Sequence, residues 1–98
     1  MSNKKKKSFD LGQLLVTRHA ADVLSPLEII TVISRHSMQD WSGCCREDAA
    51  RNREAINNGD QIMSVYKLSH GRTVWVITDA EDDNGVRNYT TVLLPEDY

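Results

Sequence analysis

The spacing of hydrophobic residues changes from helical in the first half of the chain to strand-like in the second. An apolar run over residues 11–16 comes first. Thr17 then stands as the N-cap of a short helix over 18–24, in which Ala20, Val23 and Leu24 recur at helical spacing. Ser25-Pro26-Leu27-Glu28 follows, with a cap hydroxyl, proline at the first helical position and glutamate at the third, the arrangement of a capping box. Behind it Leu27, Ile30 and Ile33, joined by Ile29 and Val32, make a broad apolar stripe, and Arg35 and His36 complement the helix dipole in the last turn. This pattern predicts a helix from 26 to about 37. Residues 39–43 break the period as a loop. Glu47 and Asp48 open a further helix that Asn58-Gly59 ends in a left-handed exit, and its thin apolar face of Ala49, Ala50 and Ile56 places it on the surface.

Residues 61–68, 72–78 and 89–94 are rich in Val, Ile, Thr, Tyr and Trp and bounded by turn chemistry, which predicts three strands. His70-Gly71 joins the first two as a tight hairpin, and the acidic loop 80–85 precedes the third, which Pro95 ends. The runs 74–77 and 92–94 do not alternate cleanly. Both faces of the sheet are therefore expected to be partly apolar, one under the helices and the other under the N-terminal segment or a partner. The expected architecture is α+β: two to three N-terminal helices packed on a three- to four-stranded antiparallel sheet formed mainly by the C-terminal half. Residues 11–16 are the candidate fourth strand, at an edge. A single domain over 10–98 follows a disordered basic tail over 1–9.

Composition sharpens this picture. The 98 residues are 40% hydrophobic and 27% charged, enough for one core and too few residues for two. No apolar run approaches the ~20 residues of a membrane helix, and the polar segment after the lysines interrupts any signal-peptide core, so a cytoplasmic protein without a membrane partner is expected. The formal charge of −2 hides an asymmetry: four lysines, Lys4, Lys5, Lys6 and Lys7, stand together, and from Phe9 onward eight basic residues face fourteen acidic ones, a formal −6. The tail could sample phosphate weakly, whereas an acidic body repels a nucleic-acid backbone. Cys44 and Cys45 are adjacent and have no third cysteine to pair with, which fits a reducing compartment.

Catalysis is not expected. His19, His36, Cys44, Cys45 and His70 match no zinc-ligand spacing, and five single glycines form no phosphate loop, so neither metal nor cofactor is expected. The carboxylate pairs lie in polar stretches with nothing apolar to raise a pKa. A Cys–His nucleophile built from His36 and Cys44 or Cys45 is feasible by spacing but lacks an orienting third group. There remains a binding surface. Arg35, His36, Asp40 and Trp41, followed by Glu47, Asp48 and Asn52 on the next helix, have the aromatic-plus-arginine composition of a protein–protein hot spot; Trp41 is equally suited to plug the core.

These same residues, with Val74-Trp75-Val76-Ile77-Thr78 and the closing Thr90-Thr91-Val92-Leu93-Leu94-Pro95-Glu96-Asp97-Tyr98, resemble a small uncharacterised family encoded on bacterial plasmids, integrative elements and phages. Its members are often labelled plasmid-related protein or a restriction-system subunit. The resemblance covers nearly everything after Leu11. It departs at Gln39 and Ser42, where glycines are expected, and at an Asp-Asp-Asn-Gly-Val-Arg insertion before the last strand. The family implies provenance without an activity. The expected function is a mobile-element accessory protein that binds an unidentified protein partner, inhibiting or modulating a host-defence or plasmid-encoded enzyme. The alternatives are a nucleic-acid accessory factor using the lysine run, a small enzyme using His36 and Cys44/Cys45, and a homodimer.

Overall fold

The computed structural model describes residues 7–98. Lys4, Lys5 and Lys6, with most of the expected tail, lie outside the described residues. Strand β1 (Gln13–Val16) leads into helix α1 (Arg18–Val23), and α2 (Pro26–Ser37) and α3 (Arg46–Asn58) follow. Strands β2 (Ile62–Lys67), β3 (Thr73–Thr78) and β4 (Tyr89–Leu93) complete the sheet before a 3-10 turn, Pro95–Asp97. The local signals act as their chemistry requires. The Thr17 hydroxyl accepts from the Ala20 N–H, Ser25 and Glu28 form the reciprocal capping box, and Gly59 at φ 78° ends α3.

One expectation is corrected. The four-stranded sheet is mixed, in the order β1-β4-β3-β2, because β1 runs parallel to β4 while the other two pairings are antiparallel. A hairpin from β1 to β4 is impossible with three helices and two strands between them, and the connection returns β1 alongside β4 in the same sense. Gly12 makes this entry possible. It sits at φ 65°, and a Cβ there would fall on the carbonyls of Arg87 and Asn88, immediately before β4.

The helices lie on one face of the sheet. Ala20, Leu24 and Val32 pack with Tyr66, Val74, Val76, Val92 and Leu94 in the main core. Trp41, Ala55, Ile56 and Ile62 form a second cluster, against which Phe9, Cys44 and Ala49 pack. The inward side of α2 is Ile29, Val32, Ile33 and His36; Leu27 and Ile30, which belong to the same apolar stripe in the sequence, point to solvent. Phe9 is half-buried, its ring edge-on to His36 at 5.3 Å, so the folded body takes in the last residues assigned to the tail.

Candidate functional site

The predicted cluster divides between interior and surface. His36, Trp41 and Asn52 are buried, and so offer a partner no contact area of their own. Arg35 and Asp40 are half-buried, while Glu47 and Asp48 are exposed in the first turn of α3, Asp48 meeting Arg51 at 3.2 Å.

The interior members belong to one hydrogen-bonded chain through the helix–sheet layer. Its ends fix its direction, because the Trp41 indole can only donate and the Leu11 carbonyl can only accept. The Thr90 hydroxyl donates to the Leu11 carbonyl at 2.6 Å, so its oxygen accepts from Thr78 at 2.7 Å. Thr78 must then accept from His36 Nε2 at 2.8 Å, which places the ring proton on that nitrogen. His36 Nδ1 is left as the acceptor for the Ser64 hydroxyl at 2.6 Å, and Ser64 accepts from Trp41 Nε1 at 2.8 Å. Every member is satisfied only with a neutral imidazole. Burial lowers the His36 pKa to about 4, in agreement with that requirement. With both ring nitrogens engaged by hydroxyls, His36 has none free to activate Cys44 or Cys45 in this arrangement.

Closer to the surface, Arg35 Nε donates to Asp40 at 2.7 Å and its guanidinium lies 4.4 Å from the centre of the Tyr66 ring. The Tyr66 hydroxyl donates to the Asp40 carbonyl at 2.9 Å, and Ser42 donates to the Asp40 carboxylate through both its hydroxyl and its amide. The Arg35 hydrogen bond, aided by Ser42, pulls the Asp40 pKa down to about 2. This knot fixes the turn after α2, in which Gln39 adopts φ 61°, a left-handed conformation uncommon for a residue other than glycine. Asn52 has a different task. Its carboxamide accepts from the Met63 N–H at 3.1 Å and donates to the Met63 carbonyl at 2.7 Å, completing the outward hydrogen bonds of this one residue on the β2 edge as a neighbouring strand would.

The feature that sequence reasoning located only in outline is the sheet face turned away from the helices. Pairing aligns Leu15, Thr91, Ile77 and Met63 in one row and Leu93, Trp75 and Val65 in the next, all on this side. Ile77 and Leu93 are covered by their neighbours, Met63, Val65 and Trp75 are half-buried, and Leu15 and Tyr89 are exposed at the margin. Lys67, at the far end of β2, is the charged residue of these three strands on this face. Tyr98, after the C-terminal turn, stands over part of it, its ring 5.4 Å from that of Trp75. Among the described residues the N-terminal segment does not cover it, because Phe9 packs on the helix side. The uneven alternation of 74–77 was the signal for this face, and only the topology could show what lies against it.

Sequence reasoning passed over Ser64, Thr78 and Thr90, whose polar side chains stand on the inward side of their strands, and Arg87. The Arg87 guanidinium is buried and donates to the carbonyls of Ala55, Asp60 and Asp79 at 2.7–2.9 Å, tying the end of α3 to the loops flanking β2 and β4. Among the described residues, no group of three or more His, Cys, Asp or Glu comes together to hold a metal ion, and no helix is long and apolar enough to cross a membrane.

Fold and site together define a two-layer α+β protein with a hydrogen-bonded polar interior and a second apolar sheet face that, among the described residues, no helix covers. No protein-family model matches the chain, and neither the curated proteins nor the solved structures contain a significant match to it.

Proposed function

We propose that the chain is a small mobile-element accessory protein that acts by binding another protein, a host-defence or plasmid-encoded enzyme whose activity it inhibits or modulates. The observation that carries the binding role is the outer sheet face. Water-facing sides of two-layer sheets are normally polar, and a nearly uncharged band of Leu, Ile, Met, Val and Trp there is the composition of an interface core. The formal −6 of the body from Phe9 onward favours a basic partner. The mobile-element setting rests on the family resemblance of the closing TTVLLPEDY.

Val65→Lys and Thr91→Lys, each on the outer face of its strand, test this reading beside the wild type in affinity capture from a bacterial host lysate, with folding checked by circular dichroism. One protein retained by wild type and lost with both folded variants is the expected result. Retention by both variants, or capture of nucleic acid alone through the lysines, refutes it.

A further inference from the structure

The two free edges of the sheet are treated differently. At β2 the Asn52 carboxamide completes the outward groups of Met63. At β1 nothing equivalent is present among the described residues. The Gln13 N–H bonds the Asn88 carbonyl and the Thr17 N–H bonds the Val92 carbonyl, so odd-numbered residues turn their backbone groups toward β4. By the alternation of a strand, the N–H and C=O of Leu14 and Val16 face outward from the sheet edge. A pair of such groups along one edge is a template for another extended strand. At four residues β1 is short, but the other devices that blunt an edge, charge and proline, are missing. Residues 11–17 contain no charge and no proline, and Leu14 and Leu15, on opposite faces, are 48% and 38% exposed.

We infer that β1 pairs antiparallel with β1 of a second copy of this chain, joining two sheets into one of eight strands. Self-pairing fits for three reasons. An uncharged strand meets its own copy without repulsion, although the bodies it joins are both acidic. The strand is flanked by Asp10 before it and Arg18 after it, both exposed, and antiparallel pairing brings the acidic end of each copy to the basic end of the other; parallel pairing would place like beside like. The third reason is area, and it rests on the proposed binding role. Four strands at ~4.8 Å spacing and about five residues long present roughly 300 Å² of outer face, well short of the ~800 Å² per partner of a stable complex. Two sheets joined at β1 bring that face to roughly 600 Å², much nearer the value of a stable complex, and keep it continuous.

The register follows from the outward groups. Leu14 opposite Val16 of the second copy, and the reciprocal pair, make four backbone hydrogen bonds about a two-fold axis. Leu15 then meets Leu15 of the second copy on the outer face, in line with Ile77 and Met63 of each sheet.

Sedimentation equilibrium of the full chain over a concentration series, with amide hydrogen exchange, decides the matter. The expected mass rises from 11.1 kDa toward twice that value. The Leu14 and Val16 amides, open to solvent in the monomer, should become protected at least tenfold as it rises. Leu14→Pro removes one outward N–H without disturbing the bonds to β4, and should leave a folded monomer. Should that variant not fold, Leu15→Lys, which places two charges at the axis, must give the same monomer. A chain that stays monomeric up to millimolar concentration overturns the inference. So does a dimer that survives in the folded variants, or one that leaves Leu14 and Val16 unprotected. Loss of partner capture with an intact dimer would count against the binding role alone.

Discussion

The buried imidazole makes acid stability a direct test of the interior. His36 is fully buried, and its hydrogen bonds require the neutral ring with its proton on Nε2. Protonation would turn Nδ1 into a donor aimed at Ser64, whose hydroxyl proton would lose its acceptor. The pKa is lowered from 6.5 to about 4 by burial, so between those values the unfolded chain binds a proton that the folded chain refuses. Stability is therefore full above about pH 6.5 and falls as the pH drops toward 4. Linkage gives a loss of about 2 kcal/mol by pH 5 and about 3 kcal/mol by pH 4. The perturbed carboxylates act lower: Asp40, held to about 2 by Arg35 and Ser42, loses its contribution only as the pH falls from its ordinary value of 3.8. Because a His36 variant keeps every other titrating group, the difference between it and the wild type from pH 7 to pH 5 isolates this histidine. Urea unfolding of wild type and His36→Gln, which keeps a donor toward Thr78, measures it. Wild type should lose about 2 kcal/mol more than the variant between the two pH values. An equal loss in both would show that the buried ring is not the source and would refute the neutral relay.

Three further outcomes follow from the geometry. Gln39→Gly should raise stability by roughly 0.5–1 kcal/mol, because glycine adopts φ 61° without steric cost; a lower denaturation midpoint would count against strain at this turn. Gly12→Ala should cost roughly 2–4 kcal/mol, since its Cβ meets the carbonyls of Arg87 and Asn88 at a positive φ, and unchanged thermal unfolding would contradict the tight entry into β1. Asn52→Leu preserves volume but leaves the Met63 amide and carbonyl without partners. It should cost about 2 kcal/mol in urea unfolding and speed hydrogen exchange at Met63, whereas an unchanged exchange rate would deny the carboxamide its role at the edge.

Legibility followed the range of the forces. Ser25-Pro26-Leu27-Glu28, Thr17 and Asn58-Gly59 act within a single turn, so their residue types alone announce the helix ends that the structure contains. The three C-terminal strands were legible from β-branched and aromatic runs between turn residues. The candidate site was legible only in part. Arg35 and Asp40 pair near the surface, whereas His36 faces inward because an apolar stripe as wide as that of α2 leaves open which part meets the sheet, and Trp41 and Asn52 are held inward by Ser64 and Met63 of β2. Leu27 and Ile30 carry the same hydrophobicity as Ile29 and Ile33 and end on the opposite side.

By itself, then, the sequence determined the order and type of the elements, their caps, and the acidic body, since these depend on neighbours within a few positions or on totals. Tertiary structure alone decided that β1 lies parallel to β4, that Ser64, His36, Thr78 and Thr90 meet in one chain of hydrogen bonds, and that the described helices all leave the second apolar face of the sheet to Tyr98 and solvent. Each of those outcomes joins residues from 12 to about 80 positions apart, and such pairings are set by which surfaces exclude water together, a property that no local window of the chain contains.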